Sequence, residues 1–223
     1  MFIPVFEKWS VIYTSKTNIL WAFIIVIVGD LLIPYMLAPF YKGYSHRSMV
    51  MSSLGNPVSP VRMVYNIWLV LAGVVFIIGS ITLYKTYADI SGGLSIALLV
   101  LLIAFAVGAM ILSGIFSVDE TKTMTSISAK IHGFGSSFGF MALLFVPLVL
   151  AILSGKQNET FSVAICIIFF ILAFVAFVLF VMSDKEQFAG TFINQEGTWQ
   201  RLTLLFIYCP IIYVAYQQIM GVQ

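Results

Sequence analysis

The chain alternates long apolar segments with short polar connectors. Six apolar segments are each long enough to cross a bilayer: residues 18–40, 64–84, 94–116, 131–153, 161–182 and 202–220. A helix needs about 20 mostly apolar residues to span roughly 30 Å of hydrocarbon. The connectors are rich in Gly, Ser, Pro, Asn and charge, and none is long enough for a separate fold. The pattern predicts an all-α polytopic membrane protein, a six-transmembrane-helix bundle that forms one domain over residues 1–223.

The composition agrees with lipid as the solvent. Hydrophobic residues make up 61% of the chain and charged residues 9%, with a mean hydropathy of +1.06. A soluble domain is roughly 45–50% apolar and about 25% charged. The net charge of +2 provides no basic field for nucleic acid. The two cysteines have no CxxC or Cys/His spacing, so no disulfide, metal site or cofactor is predicted.

The basic residues predict an orientation. Six spans put both termini on one side, and cytoplasmic loops carry an excess of Lys and Arg. On the side of the termini lie Lys8, Lys16, Lys85 and Lys156, whereas the other side carries Lys42, Arg47, Arg62, Lys122, Lys130, Lys185 and Arg201. The count favours termini outside.

Asp30 lies near the middle of the first apolar segment. An ionised carboxylate at that depth costs at least a few kcal/mol. Pro34 follows four residues later and has no N–H for the carbonyl of Asp30, which adds a second polar group at the same level. Two interpretations have equal standing: a proton, cation or ligand site, or a protonated carboxyl hydrogen-bonded to a neighbouring helix.

A second polar set lies around the connector between the third and fourth segments. On a helix His132, Ser136 and Gly139 share one face, and Gly135 and Gly139 form a small-xxx-small step suited to close helix packing. Asp119 ends the third segment at a similar depth. It could hold one nitrogen of His132 and set its tautomer. The alternative is a histidine at the membrane interface whose hydrogen bonds are satisfied and which has no functional role.

Two arginines are expected on the same side. Arg62 and Asn66 open the second segment, and Arg201 precedes the sixth. Guanidinium groups match phosphate and carboxylate, so the pair is a candidate anion site. Snorkelling to lipid headgroups is the alternative.

These motifs resemble the six-span prokaryotic membrane proteins catalogued as domain of unknown function nine-nine-eight, and more distantly the DRAM-type six-span proteins. The resemblance runs over nearly the whole chain, and its blocks are Ser52-Ser53-Leu54-Gly55-Asn56-Pro57, Tyr65-Asn66-Ile67-Trp68-Leu69, Ser113-Gly114-Ile115-Phe116 with Asp119, His132-Gly133, and Gly197 with Gln200-Arg201. It implies a six-helix bundle in a prokaryotic cell membrane, with no activity to carry over.

The resemblance also implies a shared polar patch at Ser53, Asn56, Asn66, Asp119, His132 and Arg201. The chain departs from the family in two places. Ser117-Val118 precedes Asp119 where a proline is more usual, and Ser136 replaces a second histidine. The second departure weakens a two-histidine metal or haem site.

Three functions remain open from the sequence. The first is binding of a lipid headgroup or small amphiphile at the polar patch by Ser53, Asn56, Arg62, Asn66, Ser136 and Arg201. The second is an intramembrane hydrolase or transferase with His132 as base, Asp119 or Asp30 orienting it, and Ser53, Ser136 or water as nucleophile. The third is a proton-coupled carrier that uses Asp30. Membrane lipids are the expected partners.

Overall fold

The structure, a computed structural model, describes residues 5–119 and 125–221, with side chains from Ser15 onward. Within these ranges it is helical, and six helical segments are long and apolar enough to cross a membrane. The spans are Ser15–Phe40, Arg62–Tyr87, Gly92–Ile115, Ile127–Lys156, Thr160–Ser183 and Glu196–Met220. The predicted six-span all-α architecture is confirmed. All six spans begin earlier than predicted, because polar residues at their ends continue the backbone hydrogen bonding of the helix.

The helices are α1 Val5–Leu37, α2 Arg62–Tyr87, α3 Gly92–Phe105, α4 Leu112–Ile115, α5 Ile127–Leu144, α6 Val146–Lys156, α7 Thr160–Ser183 and α8 Glu196–Met220. Successive spans are neighbours, and α8 returns to pack against α1, so the spans form a closed ring. We call the end where α1, α4 and α7 finish the loop end. The orientation stays a prediction, and Lys122 and the side chain of Lys8, both used for it, lie outside the described residues.

Glycines bring the third and fourth spans into contact. A Cβ on Gly108 would overlap the carbonyl oxygen of Gly135, and one on Gly139 would lie 3.0 Å from the backbone nitrogen of Ala109. The close packing predicted from Gly135 and Gly139 is therefore confirmed. Between α3 and α4 the chain forms a π-helical segment, Ala106–Ile111. Segments of this kind occur frequently at functional sites.

The fourth span is broken at Phe145. Pro147 has no N–H, and its ring would clash with the carbonyl four residues earlier, so α5 ends at Leu144 and α6 begins at Val146. Beyond the break α6 packs closely against α7, whereas α5 packs mainly against the third span. The α5 half of the span therefore makes its main contacts with the third span rather than with α7.

The connector between α1 and α2 covers the loop end. It contains two short 3-10 helices, Ala38–Phe40 and Met51–Gly55. We call residues 41–56 the roof loop, because Ser48 to Ser53 form one wall of the cavity described below.

Candidate functional site

A cavity of about 730 Å³ occupies the half of the bundle nearest the loop end. Its walls come from α1, α2, the third span, α5, α7, α8 and the roof loop. Six of the predicted site residues line it: Asp30, Ser53, Asn56, Asp119, His132 and Ser136. Arg62, Asn66 and Arg201 are not among its lining residues. The cavity therefore gathers the predicted polar residues without the predicted pair of arginines.

Asp30 lies at the inner end of this cavity. Ten residues of helix separate it from Phe40, which places it about 15 Å below the loop end. Its side chain is 4% exposed, and its Oδ2 accepts a hydrogen bond of 2.7 Å from the hydroxyl of Tyr208 on α8. The hydrogen bond to α8 agrees with the interpretation of Asp30 as a carboxyl bonded to a neighbouring helix. Its position in the cavity agrees with the other interpretation, a proton, cation or ligand site.

Asp119 and His132 do not form the predicted dyad. The carboxylate of Asp119 accepts hydrogen bonds from the Ser126 hydroxyl at 2.5 Å, the Ser126 backbone N–H at 3.0 Å and the Thr125 hydroxyl at 3.2 Å. These bonds, chiefly those from Ser126, hold the pKa of the Asp119 carboxyl below its ordinary value. Ser126 in turn accepts from the N–H of Ala129 and caps α5. Asp119 therefore stabilises the start of α5.

His132 turns to the end of the third span instead. Its Nδ1 lies 2.9 Å from the carbonyl oxygen of Phe116, so Nδ1 carries the proton and donates. The last carbonyls of a helix lack partners within the helix, and His132 satisfies one just beyond α4. Ser136 bonds to the carbonyl of Gly133 on its own helix. The pairing of His132 with Asp119 was wrong because each side chain finds a closer partner in the chain turn after α4.

Arg201 holds the roof loop onto α8. It is 6% exposed, and its Nη1 donates to the carbonyls of His46, Met49 and Gly197 at 2.9, 3.2 and 2.8 Å. Its Nη2 donates to the hydroxyl of Tyr44. A Cβ on Gly197 would overlap the carbonyls of His46 and Met49, so glycine is needed for this close approach. Three of these four bonds join the guanidinium to the roof loop, two through backbone carbonyls and one through the Tyr44 hydroxyl.

The charge of Arg201 affects the pKa values of two roof-loop residues, Tyr44 and His46. Burial raises the pKa of the Tyr44 hydroxyl, and the adjacent guanidinium opposes part of this rise. Burial and the positive charge of Arg201 lower the pKa of His46, whose ring stacks on Tyr35 with 4.3 Å between centroids. Both side chains are therefore neutral near pH 7. Beside them, Gln200 accepts a 2.7 Å bond from the N–H of Met51 and fixes the next part of the loop.

Arg62 and Asn66 meet on a third side chain. The Arg62 Nε and the Asn66 Nδ2 each donate to the Ser117 hydroxyl, both at 3.2 Å. They join the start of α2 to the chain after α4. Asn56 lies closer to the cavity, where its Nδ2 donates to the Tyr41 hydroxyl at 3.1 Å and its Oδ1 accepts from the Val58 N–H. It shapes the cavity wall through these bonds.

One comparison with known proteins gives a match. The family model described as "Protein of unknown function (DUF998)" matches residues 23–217. The chain belongs to this family. No curated protein and no solved structure matches it. The family assignment therefore agrees with the sequence resemblance and adds no activity.

Several residues with a role in or beside the cavity were not predicted as site residues from the sequence. Tyr208 gives Asp30 its hydrogen bond, Ser117 joins Arg62 and Asn66, and Tyr65, Phe105 and Gln200 line the cavity. One signal existed for Tyr208, since a buried carboxyl needs a donor and the last span carries tyrosines. Choosing among them requires knowing which face of α8 meets α1.

Proposed function

We propose that this DUF998 protein binds an amphiphile taken from the surrounding membrane. The observation that carries the proposal is the amphipathic lining of one cavity. Polar side chains form part of it, including Asn56, His132 and Ser136. Met141 on α5 and Val181 on α7 also line it, and these apolar side chains are 49% and 47% exposed. A ligand with one polar and one apolar part fits such a lining.

The way in follows from the broken fourth span. α5 packs mainly against the third span and meets α7 through the rings of Phe140 and Phe180, whose centroids are 6.1 Å apart. Next to these rings Met141 and Val181 line the cavity and are half exposed, which supports a gap between α5 and α7 toward the loop end. Residues at this depth on the outside of the bundle face lipid. The gap lets a membrane molecule place its polar part in the cavity while its chain stays among lipids. The cavity volume, about 730 Å³, lies within the usual range of small-molecule sites.

Hydrolysis has less support. A general base acts when a third group orients it and when it reaches the group it activates. The Phe116 carbonyl, rather than Asp119, orients His132, so the first condition is met. The second has no support, since Ser136 bonds to the Gly133 carbonyl on its own helix and the described hydrogen bonds join His132 to no serine hydroxyl. The carrier function of Asp30 stays a prediction.

The test uses dodecanol as a neutral single-chain amphiphile. The protein is reconstituted in phosphatidylcholine nanodiscs, and its thermal unfolding midpoint is followed by tryptophan fluorescence as dodecanol is added. We expect saturable stabilisation of the wild type, because a ligand that binds only the folded state raises stability. Ser136→Trp puts an indole into the cavity, so we expect its apparent affinity to fall by about tenfold or more.

The matched control is Ile171→Trp. Ile171 lies on α7, is 55% exposed and does not line the cavity. It adds the same ring on the lipid-facing surface, and dodecanol affinity should equal that of the wild type. Equal affinities of wild type and Ser136→Trp, or a response in the wild type that does not saturate, would contradict binding in the cavity.

A further inference from the structure

The inner end of the cavity combines a buried carboxyl with aromatic rings. Asp30 contributes the carboxyl, and Tyr65, Phe105 and Phe140 line the same cavity while being 3%, 2% and 9% exposed. The ring centroids of Phe105 and Phe140 are 6.0 Å apart, and Phe105 lies 6.3 Å from the ring of Tyr208. Phe140, Phe105 and Tyr208 therefore form a connected series of rings that reaches the hydrogen-bond partner of Asp30.

The carboxyl has a donor but no cation beside it. Among the described residues its polar contact is the Tyr208 hydroxyl, and the described lining of the cavity contains neither Lys nor Arg. The nearest buried guanidinium, that of Arg201, is directed at the roof loop. A carboxylate at this depth is costly without an opposite charge. A ligand cation would supply one.

The rings select the kind of cation. Aromatic faces carry negative charge density and attract ammonium groups placed over them, most strongly where water is excluded. A small hydrated metal ion would instead need several oxygen ligands. We propose that the inner end of the cavity takes the ammonium group of a cationic amphiphile, between the Asp30 carboxylate and these rings. This proposal rests on the proposed function and names the polar part of its ligand.

The experiment compares three probes with one chain length and different head groups: dodecylammonium, dodecanol and dodecanoate. Each is titrated into wild-type protein in phosphatidylcholine nanodiscs at pH 7.5, and apparent affinities are expressed as mole fraction in the bilayer so that partitioning cancels. We expect dodecylammonium to bind about tenfold more tightly than dodecanol, a cation–π and ion-pair preference, and dodecanoate to bind most weakly. The comparison within the wild type needs no variant to fold.

Two variants locate the preference. Asp30→Asn keeps the shape and removes the charge, so dodecylammonium and dodecanol should bind within about threefold of each other. Tyr208→Phe keeps the carboxylate, and the preference for the amine should remain. Equal wild-type affinities for the amine and the alcohol, stronger binding of dodecanoate, or a preference that persists in Asp30→Asn would each overturn the proposal. If the wild type binds the amine and the alcohol equally but Ser136→Trp weakens the binding of all three probes, the ammonium proposal fails and cavity binding still stands. If the response to none of the three probes saturates, cavity binding itself is refuted.

Discussion

Replacing Arg201 with alanine distinguishes a guanidinium that holds the roof loop from one that binds a ligand. The structure directs Nη1 to the loop carbonyls of His46 and Met49, and Nη2 to the Tyr44 hydroxyl. The third carbonyl, that of Gly197, lies four residues earlier on α8 and keeps its helical partner. Arg201→Ala therefore removes three bonds between α8 and the loop.

The loss can be estimated from these bonds. Hydrogen bonds from a charged donor contribute about 1.5 kcal/mol or more each. Since Arg201 is 6% exposed, little water is available to replace them. We expect the free energy of unfolding to fall by about 4 kcal/mol. Arg201→Lys keeps the charge, but one ammonium cannot reproduce the planar set of donors, so about half of the loss should remain.

The assay is reversible unfolding by SDS in mixed micelles, followed by tryptophan fluorescence. Arg62→Ala is the matched control, because Arg62 is half-buried and has one described bond, to Ser117, which keeps its bond from Asn66. The control should lose less than about 1 kcal/mol. The reasoning is refuted if Arg201→Ala unfolds like the wild type and yet loses dodecanol affinity, since the guanidinium would then serve the ligand.

Two further changes test the packing and the turn after α4. Gly108→Ala drives a Cβ into the carbonyl of Gly135, so the free energy of unfolding should fall by roughly 2–3 kcal/mol. The control Gly93→Ala meets open space and should change the free energy of unfolding by less than about 1 kcal/mol. Equal losses for the two variants in the same SDS assay would argue against close contact between the third and fourth spans. Hydrogen bonds from Ser126 hold the folded pKa of Asp119 below 3.8, so its stabilising contribution is present above that value and is lost as pH falls through the folded pKa. Asp119→Asn should flatten the decline of Tm between about pH 5 and 3, and an unchanged decline would contradict this.

The bundle itself could be predicted because lipid constrains the chain locally. Every backbone group in a bilayer needs a partner within its own segment, so a long apolar run is sufficient evidence of a helix. The contact of Gly135 and Gly139 with the third span was also predictable, since a small-xxx-small step has one main use in a membrane. The break at Phe145 had a local signal in Pro147. Its consequence, the gap between α5 and α7, had none.

The polar residues were harder to interpret than the apolar ones. The side of the bundle follows from their place near span ends, and for this reason His132 and Ser136 could be grouped before the fold was known, whereas the family resemblance added Ser53 and Asn56. Their partners could not, because a side chain such as that of Arg201 reaches any of several groups at one depth. Its bonds to His46 and Met49 join residues more than a hundred positions apart.

The sequence alone determined the solvent, the number of spans and the depth of each polar residue, because hydrophobic length and position within a span are local quantities. Only the tertiary structure decided what each polar residue does. The turn between the third and fourth spans joins Asp119 to Ser126, the close approach at Gly197 brings Arg201 to the roof loop, and the facing sides of α1 and α8 join Tyr208 to Asp30. Hydrogen bonds act over about 3 Å, so these assignments depend on which helix faces meet, and hydropathy along the chain does not specify this.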